Sequence, residues 1–406
     1  MNLDIPGKFA PIVHQAQQVA REVFRPISRH YDRAEHAYPK ELDMFASIMD
    51  GMNDGAADGG AGAGRLARSA GDTGTGTGTG NQNGTNMKTV LGLTELCWGD
   101  VGLALSIPRQ GLGNSAIAAV ANEQQLQRFG KTWAAMAITE PGVGSDSAAI
   151  RTTATKDGDH YIINGEKIYV TAGERANAVV VWATLDKSLG RAAIKSFVVE
   201  KGTPGMTVER LEKKLGIRAS DTAAIRFDNC RVPKENLLGD PEISVGKGFA
   251  GAMQTFDNTR PVVAGMAIGV ARAALERTQE ILKAAGLNLT YQQQSWTTTA
   301  AVRELHLLEA ELEAARLLTL RAAWMADNGQ PNSKEASMAK AKAGRVGNQI
   351  TLRCVELCAS LGYQETELLE KWARDSKILD IFEGTQQIQL LIIARRLLGK
   401  SSSELK

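Results

Sequence analysis

The chain contains 406 residues, 43% of them hydrophobic, which is enough to bury a large core and predicts two or three domains. Lysine and arginine (47) nearly balance aspartate and glutamate (45), so the formal net charge is only +2 at pH 7. No basic run stands out, which argues against nucleic-acid binding. Because we find no signal-peptide pattern and no apolar stretch near 20 residues, we expect a cytoplasmic protein without a membrane span.

The first part, residues 1–135, is predicted to be a helical domain. Apolar residues recur at helical spacing over 9–31 and over 91–121. Between them, residues 51–88 contain Gly-Ala and Gly-Thr repeats that do not follow the G-x-G-x-x-G spacing of a nucleotide-binding loop. A Gly-rich segment buries too little apolar surface to offset its ordering, so 51–88 is predicted to be a flexible loop.

The second part, residues 136–240, is predicted to be a β domain. Asn164-Gly165 separates two apolar runs and predicts a hairpin with a type I′ turn. Asp157-Gly158 marks another turn. Repeated strands without intervening helices predict an antiparallel sheet or small barrel. Further strands are predicted at 178–183, 196–200 and 223–227.

The third part, residues 241–406, is predicted to be a bundle of antiparallel helices. Pro261 is placed in the first turn of the first helix, where proline is tolerated, and Ser333 is a candidate cap for a later helix. The predicted fold class is therefore α+β, mainly α, with two helical parts around a central antiparallel β domain. The predicted helices span 261–285, 297–327, 333–361, 367–381 and 386–398.

The four cysteines lack the spacing of a disulfide framework and are predicted to be reduced, buried side chains. Cys354 and Cys358 fall on one helix face, but a metal site would need two more ligands nearby. The other two are Cys97 and Cys230.

Four segments carry residues suited to chemistry, and each has an ordinary alternative. In 138–146, glycines allow backbone N–H groups to approach a phosphate or flavin, although a Pro-Gly turn before a strand explains them equally well. Tyr169 and Thr171 lie two apart on a predicted strand, so they share a face that suits a flat cofactor or simply a half-buried strand end.

The other two segments lie in the helical bundle. In 256–261, Asp257 or Thr259 could cap the following helix, and Arg260 could be solvated. Glu383 precedes a glycine and the last predicted helix. It is either a solvated residue favoured by the helix dipole or a base placed for proton transfer.

Together, in their order and spacing, these segments resemble the acyl-CoA dehydrogenase family from about residue 88 to the last helix. The similarity is closest to the medium- and short-chain branch, whose catalytic glutamate stands in a Tyr/Phe-Glu-Gly-Thr run. Here that run is Phe382-Glu383-Gly384-Thr385. The family's architecture of helical domain, β domain and helical bundle agrees with the three predicted parts.

The resemblance implies FAD-dependent oxidation of an acyl-CoA thioester to the trans-2-enoyl-CoA, a step of fatty acid oxidation. Glu383 would remove the α proton while hydride passes to flavin N5. The backbone N–H of Glu383 would help to polarise the thioester carbonyl. The resemblance also implies an oligomer, a dimer or tetramer, that passes electrons to an electron-transfer flavoprotein.

Further site residues follow from the resemblance alone, including Tyr169 in place of a more usual tryptophan over the flavin. The implied substrate-binding residues are Asp257, Arg260, Gly384 and Ser145. The implied cofactor-binding residues are Ile138, Thr139, Gly144, Ser145, Tyr169, Val170, Thr171, Thr385 and Gln387.

Two departures concern the residues through which a neighbouring subunit completes each FAD site in the family. An Arg-x-x-Phe-Gly run reads Leu-Lys-Ala-Ala-Gly here, from Leu282 to Gly286. A Gln-x-x-Gly-Gly run begins with Glu356 and lacks both glycines. Losing an Arg and adding a carboxylate weaken anion binding. These departures favour a heteromer with a related chain that supplies the missing groups. The alternative is ordinary family drift, in which a homo-oligomer holds FAD by other contacts.

Two alternative functions remain open. An acyl-CoA oxidase would pass electrons to oxygen, and a non-catalytic structural subunit would explain the altered FAD motifs. The acyl group is not readable from the sequence, although the segment 103–108 is expected to floor its pocket.

Overall fold

The computed structural model describes residues 5–53, 84–109, 111–243, 250–294, 296–401 and 404, with the backbone alone for 48–53 and 250–258. The Gly-rich repeats therefore lie outside the described residues. The margins of the predicted 51–88 loop are helical instead, because a helix extends to Asn53 and the next begins at Thr85. Met87 in that second helix is buried in the hydrophobic core, so this end of the predicted loop belongs to a packed helix.

The N-terminal helices begin with one continuous rod: α1 (Ala10–Val19), a π-helical turn (Ala20–Phe24) and α2 (Arg25–Arg33). The single helical stretch predicted over 91–121 is broken at Asp100, whose side chain accepts a hydrogen bond from the Leu103 N–H at 2.9 Å and so starts a new helix. The remaining helices are α3 (Glu41–Asn53), α4 (Thr85–Gly99), α5 (Val101–Ala104), α6 (Leu112–Val120) and α7 (Glu123–Phe129).

The described residues form seven strands, β1 (Ala134–Ala137), β2 (Thr153–Asp157), β3 (His160–Thr171), β4 (Ala178–Thr184), β5 (Ile194–Glu200), β6 (Met206–Leu211) and β7 (Thr222–Pro233). These strands form one sheet in the order β1-β4-β2-β3-β7-β6, with β5 paired to β4. The sheet is mixed, because β1 and one residue of β2 pair with β4 in parallel. The predicted antiparallel pairing holds for β2–β3, β3–β7, β4–β5 and β6–β7. The parallel pairing arises because the β2–β3 hairpin intervenes between β1 and β4 and lets both strands run the same way.

The prediction of a hairpin at Asn164-Gly165 was wrong. Both residues lie inside β3, at a bulge where its pairing with β7 shifts register. Gly165 has φ +151°, and a Cβ there would stand 2.4 Å from Thr152 Oγ1. The glycine therefore serves a close approach of β3 to the start of β2. The true hairpin is the predicted turn at Asp157-Gly158, where Gly158 has φ +57°.

The C-terminal part is helical, as predicted, and α13 has the predicted bounds. Pro261 lies in the interior of α8, not in its first turn, since the helix begins at Ala250. Asn332, not Ser333, is the N-cap of α10, which ends at Leu357 rather than at 361. The helices are α8 (Ala250–Ala284), α9 (Ala300–Asp327), α10 (Ser333–Leu357), α11 (Ala359–Tyr363), α12 (Leu369–Ser376), a 3₁₀ turn (Lys377–Asp380) and α13 (Gln386–Leu398).

One hydrophobic core joins the N-terminal and C-terminal helices, with Phe24, Leu103 and Trp372 among its fully buried members. Two further clusters cover opposite faces of the sheet. Alternate residues of β4 enter each cluster, as expected for a strand buried on both faces. All four cysteines are buried and free, as predicted. No described helix is long and apolar enough to cross a membrane.

A buried ionic cluster joins α12 to the rest of the protein. Lys371 Nζ lies 2.7 Å from Asp100 Oδ2 and 2.5 Å from Asp375 Oδ2. The hydroxyl of Ser28 donates to Asp100, and the Ile217 N–H donates to Asp375 Oδ1 at 2.5 Å. Burial lowers the pKa of Lys371, but the two carboxylates outweigh it and raise the pKa above its ordinary value. Lys371 therefore joins the two helical parts, and Asp375 links them to the β domain through the Ile217 N–H.

Candidate active site

Glu383 stands in a turn between the 3₁₀ turn that follows α12 and the start of α13. Its φ is +56°, a left-handed conformation that is uncommon for a residue with a side chain. Gly384 follows with φ +92°, where glycine is favoured. Thr385 is the N-cap of α13, and its Oγ1 accepts from the Ile388 N–H at 3.4 Å. Glu383 therefore lies three residues before α13 begins, in the preceding turn and not in the first turn of the helix.

The Glu383 carboxylate is bonded to α8. Thr259 Oγ1 donates to Glu383 Oε2 over 2.8 Å. Burial raises the pKa of Glu383 above its usual range, and the Thr259 hydroxyl, the Arg260 guanidinium and the Lys340 ammonium oppose that rise. A carboxylate with a raised pKa accepts a proton more readily, which suits it to act as a general base.

Two side chains bind the main-chain carbonyls of the same turn. Lys340 Nζ donates to the Gly384 oxygen at 2.7 Å. Gln389 Nε2 lies 3.1 Å from both the Glu383 and the Gly384 oxygens. The turn is therefore fixed by α10 on one side and by α13 on the other.

Sequence reasoning missed Lys340 as a site residue, although the sequence carried a signal for it. Ala336, Ala343 and Gly347 recur at helical spacing around it and are buried, so Lys340 stands on the apolar face of α10. A lysine on such a face has to be paired or hydrogen-bonded.

A second group of predicted residues lies beside the sheet, at the end of β1. The Ile138 carbonyl accepts from Lys167 Nζ at 2.9 Å, and the Thr139 carbonyl accepts from the Ile168 N–H at 2.9 Å. Lys167 Nζ also lies 2.9 Å from Glu140 Oε1, and both side chains are buried. Burial lowers the pKa of Lys167 to about 8, against the opposing charge of Glu140. This ion pair anchors the segment that the resemblance assigns to flavin binding.

The outer part of that segment is open. Gly144 and Ser145 are exposed, and a Cβ placed on Gly144 would meet no atom within 4 Å. Tyr169 is 62% exposed and has φ +59°, next to a bulge in β3. Thr171 is partly buried, whereas the Val170 side chain between them packs into the sheet core. Val170 could thus face a cofactor only through its backbone.

The remaining predicted site residues differ in their burial. Arg260 is buried, close enough to Glu383 and Lys340 to influence the pKa of each. Gln387 is exposed on the first turn of α13. Asp257 lies within α8, but its side chain is outside the described residues.

The two departures from the family's FAD motifs have different structural settings. Leu282 is buried in the helical core near the end of α8, so this position does not present a surface group. Glu356 is exposed near the end of α10 and pairs with Arg353, which also bridges to Glu304. The Glu356 charge is therefore partly neutralised within the chain.

The described residues fit a flavin at the open segment. The space around the Gly144 backbone leaves room for a phosphate or ring oxygen, and the exposed Tyr169 ring offers a flat apolar face. The buried Lys167–Glu140 pair keeps the segment in place without using its outer surface. Ile138, Thr139, Gly144, Ser145, Tyr169 and Thr171 would hold the cofactor.

Two family models match the chain. The acyl-CoA dehydrogenase middle domain matches residues 135–230, and the acyl-CoA dehydrogenase C-terminal domain matches residues 246–398. The first model covers all but the two ends of the sheet, and the second covers the segments that carry Thr259, Lys340 and Glu383.

Individual relatives agree with these models. The chain is 42% identical over 265 residues to a mitochondrial short-chain specific acyl-CoA dehydrogenase of Mus musculus, covering 64% of this chain but only 62% of the relative. It is 35% identical over 315 residues to a short-chain specific acyl-CoA dehydrogenase of Clostridium acetobutylicum, covering 75% of this chain and 80% of that protein. The solved structure of butyryl-CoA dehydrogenase from Megasphaera elsdenii superposes with a TM-score of 0.82 at 29% identity, over 98% of this chain and all of that one.

Proposed function

Because the chain belongs to the acyl-CoA dehydrogenase family, we propose that it oxidises an acyl-CoA thioester at its α and β carbons, with Glu383 as the base for the α proton. The observation that carries the proposal is the Glu383 carboxylate, with its pKa raised by burial and its position fixed by Thr259. Short acyl chains are the first substrates to test, because the similar proteins are named for short-chain and butyryl substrates.

Members of the family are FAD-dependent, and we propose that FAD binds at the segment 138–145 and the adjacent Tyr169 and Thr171. When bound, FAD supplies the acceptor for the β hydride. The chain's own groups supply the rest. Glu383 takes the α proton at a carboxylate oxygen, and the Glu383 N–H is the candidate donor to the thioester oxygen.

The function is tested by turnover of the FAD-loaded protein. We expect oxidation of butyryl-CoA with an artificial electron acceptor or an electron-transfer flavoprotein, and only slow turnover with oxygen. A series of longer and branched acyl-CoAs then defines the preferred acyl group. Turnover that is equally fast with oxygen alone would identify an oxidase, and no turnover with any acyl-CoA would contradict the proposed activity.

We further propose that the protein assembles with a related chain of the same family. Leu282 and Glu356 replace the groups with which a family neighbour completes the FAD site, and apolar side chains remain uncovered on α13. Leu390, Leu397 and Leu398 are 53%, 68% and 63% exposed in the single chain. Such an apolar surface favours association with another subunit.

Purification alone and with a co-expressed related chain tests this assembly. Without added FAD, we expect substoichiometric FAD and low turnover from the protein purified alone. In a mixed complex, identified by native mass spectrometry, we expect full FAD content. A homo-oligomer that retains one FAD per chain and full activity would contradict the mixed assembly while leaving the dehydrogenase proposal intact.

A further inference from the structure

Lys340 is a buried cation that the proposed reaction does not use directly. Its side chain is fully buried on α10. Among the described residues, its hydrogen-bond acceptor is a main-chain oxygen, that of Gly384, at 2.7 Å. Burying an ammonium is costly unless charge or hydrogen bonds compensate. If this position served packing alone, an apolar residue of similar length would fill it without the desolvation cost of a buried charge.

The carbonyl that Lys340 binds belongs to the strained turn of the proposed base. Glu383 has φ +56° and Gly384 has φ +92°, so two successive residues adopt left-handed backbone conformations. A side-chain-bearing residue in this region is held there by its surroundings. The Lys340 ammonium and the Gln389 amide supply three hydrogen bonds to the two carbonyl oxygens of the turn.

The charges around Lys340 form a small group. Asp380 and Glu383 raise the pKa of Lys340, and Arg260 lowers it, but burial is the largest influence and brings the pKa down to about 8. Glu383 in turn faces Thr259, Arg260 and Lys340. Burial also raises the pKa of Asp380, opposed mainly by Lys340 and then by two more basic residues, Lys377 and Arg345.

We propose that Lys340 is a positioning residue for Glu383: its ammonium holds the Gly384 carbonyl, which keeps the left-handed turn in place. The positive charge of Lys340 also lowers the pKa of Glu383, which favours the ionised carboxylate. The inference rests on the proposed function of Glu383 as a base. It assigns to α10 a role in setting both the direction and the protonation of that carboxylate.

The proposal predicts a pH dependence with a definite sign. Glu383 acts as a base only when ionised, so activity is present above its pKa and is lost as the pH falls through it. Removing the Lys340 charge removes an influence that lowers this pKa. The acidic limb of kcat/KM against pH should therefore move to higher pH in Lys340→Met, whereas Lys340→Arg, which keeps the charge, should leave it near the wild-type position.

The experiment compares FAD-loaded wild type with Lys340→Met, Lys340→Arg and Lys342→Met, using butyryl-CoA. Lys342 is the matched control, since it lies two residues along the same helix but pairs with Glu311 at the surface. We expect kcat to fall by about tenfold or more in Lys340→Met, because a shift of 1 Å in a reacting group costs about 10²-fold. We expect Lys342→Met to behave as wild type.

Hydrogen–deuterium exchange of the peptide 379–390 gives a readout that needs no substrate. We expect faster exchange there in Lys340→Met and unchanged exchange in Lys342→Met. Unchanged exchange, or an acidic limb that does not move, would overturn the proposed role of Lys340. A wild type that binds FAD but oxidises no acyl-CoA would instead overturn the proposed function, and the exchange comparison would still decide whether Lys340 holds the turn.

Discussion

Glu383→Gln is expected to lower the steady-state rate of acyl-CoA oxidation by at least about 10²-fold, the contribution typical of a positioned general base. The amide has nearly the same shape and can still accept the hydrogen bond that Thr259 donates to Glu383, but it cannot take a proton. FAD content and the unfolding midpoint should remain those of wild type. Turnover of butyryl-CoA with an artificial acceptor measures the effect.

Two further variants separate charge from position. Glu383→Asp keeps the carboxylate but shortens the side chain by one methylene, and a misplacement near 1 Å costs about 10²-fold. Glu313→Gln is the control, because Glu313 is half-exposed and pairs with Arg316 on α9. A Glu383→Gln protein that turns over within twofold of wild type would show that a different group removes the α proton.

Lys371→Met is expected to lower the free energy of unfolding by about 3–5 kcal/mol, the usual cost of breaking a buried ion pair. The substitution removes the cation between Asp100 and Asp375 and leaves two buried carboxylates facing each other. Urea unfolding of the FAD-loaded protein, followed by far-UV circular dichroism, measures the loss.

Two further variants provide a control and a partial rescue for Lys371→Met. Lys342→Met removes a surface ion pair and should leave the unfolding midpoint unchanged. Adding Asp375→Asn to Lys371→Met removes one of the stranded charges and should recover part of the lost stability. If Lys371→Met unfolds at the wild-type midpoint, the buried cluster does not join the helical parts as described.

Local patterns predicted the elements whose stability depends on their own sequence. The helix predicted over 386–398 has the bounds of α13, and the order of four short segments led to Glu383 as the candidate base. The hairpin turn predicted at Asn164-Gly165 failed because of contacts with residues distant in the sequence. Its residues pair with both β2 and β7, and the glycine is needed because Thr152 approaches closely. Long-range pairing thus outweighed a strong local turn preference.

The parts of the candidate site that the sequence did not reveal depend on contacts between distant residues. Lys340 reaches a carbonyl 44 positions away, and Thr259 reaches a carboxylate 124 positions away. The left-handed φ of Glu383 could not be predicted from its residue type, because a glutamate does not favour that conformation. Pro261 likewise indicated a helix start, but the chain before it is already helical and the proline lies in the interior of α8.

The central claim, that Glu383 removes the α proton, is tested most directly by a single turnover without oxygen. FAD-loaded wild type and Glu383→Gln are mixed with excess butyryl-CoA, and the loss of flavin absorbance is followed by stopped flow. This separates the chemical step from product release and reoxidation. We predict rapid bleaching in wild type and bleaching slower by about 10²-fold or more in the variant. Equal bleaching rates in the two proteins would contradict the role of Glu383.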